Sequence, residues 1–189
     1  MCDSRYMELV IPRLAHLPSY FAALERGWSG DTWTDAGLAE EKLMCINEPM
    51  KLLAKKDDPE GKAGPVRLKD GSFVDRVPGF TRWMWDGEVS GSINFRWQNK
   101  TTDLPDYILG HIGYSVAPWK QRLGYATDAL RQILIEAKSQ SLPYVELTTD
   151  LDNYASQNVI TNNNGVLMES FEKVASQGGG PSLRWRIYF

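Results

Sequence analysis

Apolar residues along the chain recur with two periods, and these divide it into strands and helices. The run from residue 7 to residue 11 predicts a short strand closed by Pro12. Residues 17–28 carry helical spacing, with Pro18 near the start and Gly27 and Gly30 beyond the end. A second helical region covers 34–55, with Leu38, Leu43, Ile46, Leu52 and Leu53 as its apolar positions and Pro49 as an interruption. Residues 57–72 are polar and rich in Gly and Pro, which reads as a mobile loop. Residues 79–85 and 88–98 are strand patterns around Asp86-Gly87, among the strongest of hairpin signals. After a polar loop at 99–105, residues 107–116 carry apolar side chains on both faces, as a central strand does. Ala126, Leu130, Ile133, Leu134 and Ala137 then predict a helix over 123–139. A buried strand follows at 144–149. A short helix at 153–163 is capped by Asn153 or Asp152 and ended by Gly165. Strands at 166–174 and 183–189, joined through Gly178-Gly179-Gly180-Pro181, close the chain.

This order predicts an α/β (α+β) fold: a mixed, mostly antiparallel twisted sheet flanked by helices, with a parallel strand–helix–strand unit at its centre. No repeat or internal boundary interrupts the pattern, so residues 1–189 read as one domain.

Composition narrows the partners. The 189 residues are 42% hydrophobic and 24% charged, enough for an ordinary core. A net charge of −3 gives no reason to expect nucleic acid, which is held by an excess of basic residues. No apolar run approaches the roughly 20 residues of a membrane helix. The start, Met1-Cys2-Asp3-Ser4-Arg5, lacks the pattern of a secretion signal. Cys2 and Cys45 have no ligand spacing, and His16 and His111 are the only histidines. The expectation is a cytoplasmic protein without a metal site. Seven tryptophans, with Trp28 and Trp33 early and Trp83, Trp85 and Trp97 clustered, suit either core packing or an aromatic-walled pocket.

The chemistry concentrates at Val116-Ala117-Pro118-Trp119-Lys120-Gln121-Arg122-Leu123-Gly124-Tyr125-Ala126-Thr127, between a strand and a helix. Amides at a helix N-terminus lack intrahelical acceptors, and the helix dipole adds to their pull on phosphate. Gly124, Ala126 and Ala129 loosely imitate a dinucleotide fingerprint, and Asp150 ends the next strand where a ribose-binding acid would be sought. Six residues between strand and glycine, a methyl at Ala126, and too little chain after Asp150 for a doubly wound sheet count against it. A Gly-Lys-Ser/Thr loop is absent, and an ordinary strand–helix connection is the plain alternative.

Gln121-Arg122-Leu123-Gly124-Tyr125-Ala126 is similar to the Gln/Arg-x-x-Gly-x-Gly/Ala signature of the GCN5-related N-acetyltransferases. Gly110-His111-Ile112-Gly113-Tyr114-Ser115-Val116 resembles that family's fourth strand. Asn153, Ser156, Val159 and Ile160, followed by Asn164-Gly165, resemble its later helix and turn. Ser92-Ile93-Asn94-Phe95-Arg96 matches a poorly characterised branch of predicted acetyltransferases.

The resemblance implies acetyl-coenzyme A as co-substrate, with its pyrophosphate on the amides of Gln121, Arg122, Leu123, Gly124, Tyr125, Ala126 and Thr127. It implies pantetheine in a gap between the fourth and fifth strands, against Tyr114, Val116, Asn153 and Ser156. Residues 1–78 would shape the acceptor side and 79–189 the cofactor core. An amine of pKa near 10.4 arrives protonated, so a base is needed. His111, standing where relatives carry a glutamate, is the expected one, with Glu88 and Glu146 as lesser candidates. Arg96 is the candidate for an acidic substrate group, and Lys120, Arg122 and Arg131 for the cofactor's outer phosphate. Ile160 stands where relatives carry the tyrosine that protonates the leaving thiolate; Tyr154 and Ser156 are the possible substitutes.

The expected activity is acetyl transfer to a primary amine on a small or amino-acid-like acceptor, by direct attack in a ternary complex. Neither cysteine lies in the motif to carry an acetyl-enzyme. A non-catalytic acyl-coenzyme A sensor or interaction module, and a protein N-terminal or lysine acetyltransferase, are the alternatives, and a homodimer is compatible with all of them.

Overall fold

The computed structural model describes residues 6–30, 34–68 and 71–189; Cys2 and Trp33 lie outside the described residues. Strands of three residues or more are β1 (Glu8–Val10), β2 (Gly79–Trp85), β3 (Val89–Arg96), β4 (Ile112–Val116), β5 (Tyr144–Asp150), β6 (Val166–Glu172) and β7 (Pro181–Tyr188). Helices are α1 (Leu17–Glu25), α2 (Asp35–Asn47), α3 (Pro49–Lys56), α4 (Tyr125–Ala137) and α5 (Tyr154–Thr161).

The strands form two antiparallel sheets rather than one continuous sheet. One has the order β1-β2-β3-β4, with Asp57–Asp58 adding a short pairing to β2; the other has the order β5-β7-β6. They meet where the His111 N–H donates to the Glu146 carbonyl at 2.8 Å. The β2–β3 hairpin turns at Asp86-Gly87 as the sequence predicts, with Gly87 at φ +104°.

Each face of the first sheet carries its own core. On one, α4 lays Ala129, Leu130, Ile133 and Ala137, spaced three and four apart, against Ile93, Phe95 and Ile112. Burying each such large side chain contributes about 1.5–3 kcal/mol. On the other, α1 and α3 set Tyr20, Leu24 and Leu52 around Trp83, whose ring stacks on Tyr20 at 4.3 Å between centroids. Trp28, Trp83, Trp97 and Trp185 are buried, which answers the tryptophan question in favour of packing for these four.

Several boundaries move for local reasons. The predicted helix over 34–55 is two helices, because Pro49 opens α3 instead of interrupting a longer one. Leu43 and Ile46 on α2 face solvent. The buried residue of α2 is Glu41, which pairs with Lys56 at 2.7 Å and accepts from Tyr20 Oη at 2.6 Å. Ser29 Oγ also donates to Glu41, so one carboxylate ties α1, α2 and α3 together. Within the expected loop at 57–72, Val66–Arg67 starts a small ladder with Phe73–Val74. The strand predicted from residue 107 begins at Ile112. At the end of α5 it is Asn164, φ +61°, that takes the left-handed conformation expected of Gly165. Gly165 serves close packing: a Cβ there would stand 2.2 Å from Ile160 Cγ2.

Candidate active site

β4 ends at Val116, and a 3₁₀ turn, Pro118–Lys120, leads toward α4. The turn is clamped from inside. Lys120 is buried and donates through Nζ to Asp86 Oδ2 at 2.7 Å, Asp86 Oδ1 at 3.0 Å and Glu88 Oε1 at 2.8 Å. Tyr125 Oη donates to Asp86 Oδ2 at 2.7 Å and Ser90 Oγ to Oδ1 at 2.8 Å. Burial alone raises the Asp86 carboxyl, but the bonds from Lys120, Tyr125 and Ser90 outweigh it and hold the group at about 2. Sequence reasoning passed over Asp86, which looked fully explained as a turn residue. Nothing in its spacing reports the Lys120 contact.

Gripped at residues 120 and 125, the loop leaves Gln121, Arg122, Leu123 and Gly124 exposed between them. Arg122 at φ +66° and Gly124 at φ +81° alternate with ordinary backbone, the pattern that turns successive amides into one concave surface. The first bond of α4 here runs from the Asp128 N–H to the Gly124 carbonyl. The amides of Tyr125, Ala126 and Thr127 therefore have no carbonyl of their own helix to use. A Cβ built on Gly124 meets nothing within 4 Å, so the cradle is open. Open amides, a helix N-terminus and unfilled space above a glycine fit a diphosphate. Tyr125 turns its ring inward, so only its amide faces the cradle. Buried Lys120 is spent on Asp86 and Glu88 and so is not available to an outer phosphate, while Arg131 is exposed and pairs with Asp128.

Beyond the His111 contact, Tyr114 reaches from β4 to α5, donating through Oη to the Ser156 carbonyl at 3.3 Å. Burial pushes its phenol up to about 12, so it stays a donor. Asn153 caps α5, accepting the Ser156 N–H at 3.1 Å. These two bonds bring Tyr114, Asn153 and Ser156 together, while Ile160 is buried in the core.

His111 does not hold the arrangement a base requires. It is fully buried, and its Nδ1 accepts the Glu146 N–H at 3.0 Å. Burial, against a raising influence of Glu146, lowers its pKa to about 4. The ring is neutral, and the bond to Nδ1 assigns the proton to Nε2, leaving no lone pair for an incoming amine. Glu146 is paired with Arg184 and Arg186, and Glu88 with Lys120. Arg96, half-buried, donates through Nε to the Gly110 carbonyl at 2.8 Å. The free thiol of Cys45 is pushed up to about 11 by burial and by Glu41. Among the described residues no His/Cys/Asp/Glu cluster is arranged to hold a metal ion, and no helix is long and apolar enough to cross a membrane.

An amide cradle at the end of a strand that parts from its neighbour defines a coenzyme A acyltransferase architecture. The model of the acetyltransferase (GNAT) family matches residues 46–165, and the chain belongs to that family. It is an acetyl-coenzyme A-dependent N-acetyltransferase. Among solved structures it is similar to a Salmonella typhimurium acetyltransferase that modifies the N-terminal serine of a 50S ribosomal subunit protein, with TM-score 0.62, 14% identity, and 97% and 95% of the two chains covered. It is similar to Mycobacterium smegmatis RimJ in complex with CoA-disulfide, with TM-score 0.61, 18% identity, and 96% and 81% covered. It is also similar to the microcin self-immunity acetyltransferase MccE in complex with acetyl-CoA and AMP, with TM-score 0.60, 11% identity, and 97% and 92% covered. No curated protein matches the chain in sequence.

Proposed function

We propose that this enzyme acetylates a primary amine on a small, amino-acid-like molecule, by direct attack within a ternary complex in the cytosol. The observation that carries this reading is the open amide cradle at Gly124, set beside the gap that Tyr114 spans. In it the amides of residues 121–127 hold the pyrophosphate, while the backbone of Tyr114 and Val116 with Asn153 and Ser156 lines the pantetheine. Acetyl-coenzyme A supplies the activated acyl group. Cys45, with a raised thiol pKa and a place on α2, is no nucleophile, which favours direct attack over an acetyl-enzyme.

The proton balance follows from His111. With its lone pair occupied, it serves as a fixed donor, and the amine loses its proton to water before or during attack. A coenzyme A thiol of pKa about 8.5 leaves as thiolate without a dedicated acid, which accommodates Ile160. The relatives' names span a ribosomal protein and a self-immunity function, so they do not choose the acceptor. Coenzyme A release measured over a panel of amino acids, polyamines and peptide N-termini tests the reading. Turnover concentrated among small amines supports it; turnover on peptides alone, or binding without turnover on any amine, refutes it.

A further inference from the structure

Pantetheine and nucleotide must leave the pyrophosphate cradle in different directions. β4 has β3 on one side and the contact with β5 on the other. Pantetheine takes the β5 side, which leaves the side of the β2–β3 hairpin for the nucleotide. A single ribose separates the base of coenzyme A from its diphosphate, so the base has to lie close to the loop.

On the hairpin side lies a cavity of about 640 Å³, within the range of small-molecule sites. Leu123, exposed in the cradle loop, and Tyr125, whose amide the cradle uses, both line it. Its wall includes a flat shelf. Arg26, at the end of α1, holds its Cζ 3.4 Å from the centroid of the Trp119 ring. Trp119 packs against the core around Trp83, which anchors the shelf from below. Arg26 is exposed, which leaves the outer face of its guanidinium to stack on a second flat ring.

The charges along the lining balance, Arg26 and Lys120 against Asp86 and Glu88, so the cavity does not select an anion. Asp86 is saturated by its four hydrogen bonds. Glu88 is not. Its Oε1 accepts from Lys120 at 2.8 Å, and the side chain is 48% exposed, which leaves the carboxylate able to accept from a further donor. A guanidinium shelf, an exposed leucine and a carboxylate with room to accept match a planar heterocycle bearing N–H groups better than a phosphate.

We propose that this cavity seats the adenine of acetyl-coenzyme A, its ring on the Arg26–Trp119 shelf and its exocyclic amine donating to Glu88. The proposal rests on the cradle reading above and extends it to the nucleotide end of the co-substrate, with Arg26 and Glu88 as specificity-determining residues.

The test is calorimetry on the whole chain with coenzyme A and with its analogue carrying hypoxanthine in place of adenine. The analogue sets a carbonyl where the amine was, and two acceptors then meet at Glu88. Wild type should prefer adenine by about tenfold or more. Glu88→Gln keeps an acceptor for Lys120 and offers an N–H to the carbonyl, so the preference should vanish or reverse. Because that preference is a ratio within one variant, a general loss of stability does not imitate it. Arg26→Met should weaken coenzyme A about tenfold while leaving 4′-phosphopantetheine, which lacks the nucleoside, unchanged. Arg26→Lys should not restore the loss, since it keeps the charge without the plane. Equal wild-type affinity for the two bases, an unchanged preference in Glu88→Gln, equal loss of both ligands in Arg26→Met, or full affinity in Arg26→Lys would overturn the adenine seat and leave the cradle reading intact. Failure of wild type to bind coenzyme A at all would overturn both.

Discussion

Replacing Asp86 by Asn tests whether the hairpin turn holds the pyrophosphate cradle in shape. The carboxylate takes four hydrogen bonds from three side chains, two from Lys120 and one each from Tyr125 and Ser90, at 2.7–3.0 Å. Its pKa falls from an ordinary 3.8 to about 2. At roughly 1.4 kcal/mol per unit, the charged form contributes about 2–3 kcal/mol to the folded state. Asn keeps the shape but removes the charge, leaving buried Lys120 with Glu88 alone. For a chain of this length that loss lowers Tm by about 5–10 °C. The sign with pH is fixed: the contribution is complete above the unfolded value near 3.8 and fades as pH falls through about 2. The stability difference between wild type and Asp86→Asn, read from urea unfolding, therefore shrinks below pH 4 and is flat above it. Because Lys120 and Tyr125 bracket the exposed amides, coenzyme A affinity by calorimetry should also weaken about tenfold or more, with kcat less affected than KM. Wild-type coenzyme A affinity in a folded Asp86→Asn variant would refute the link between clamp and cradle.

Gly124→Glu should abolish measurable coenzyme A binding by calorimetry, because it forces a side chain onto φ +81° and puts a carboxylate where the diphosphate lies. His111 titrates at about 4 against an ordinary 6.5, so its share of stability, about 3 kcal/mol, is complete above pH 6.5 and lost as pH falls toward 4. His111→Gln should flatten that part of the unfolding-against-pH curve. The pH–rate profile of wild type should show no limb near 6.5, rising instead toward the pKa of the acceptor amine. Gly165→Ala should cost about 1–3 kcal/mol in urea unfolding, because its methyl would overlap Ile160 Cγ2.

The cofactor half was legible because its demands are local. A strand, a glycine-bearing loop and an amphipathic helix follow each other in sequence, and Gly124 to Ala137 states both the cradle and the face α4 buries. The N-terminal part is assembled from distant pieces. Glu41 looks like one more solvated acid on α2 until Lys56 and Tyr20 are folded against it, and Leu43 and Ile46 look like core until that pair takes the inward face. One signal was present and underused: the alternation of Ser92, Asn94 and Arg96 with Ile93 and Phe95 announces a strand with a polar face. Read for periodicity alone it gives only a strand; read for the polarity of its outward face it also tells which side turns away from α4.

His111 shows why residue type alone could not decide its role. An exposed imidazole at this position would have a lone pair and a pKa suited to accept a proton. The fold instead places it at the contact between the two sheets. Its backbone N–H bonds the Glu146 carbonyl while its ring takes the Glu146 N–H, at 2.8 and 3.0 Å. Two bonds to one residue fix where β4 and β5 touch, and thereby where the gap spanned by Tyr114 begins. The same pair fixes the ring's tautomer and turns Nε2–H into a donor with no partner of its own. A residue chosen by sequence as a proton acceptor thus becomes, through its two bonds to Glu146, a strut between the two sheets whose remaining ring nitrogen is a donor.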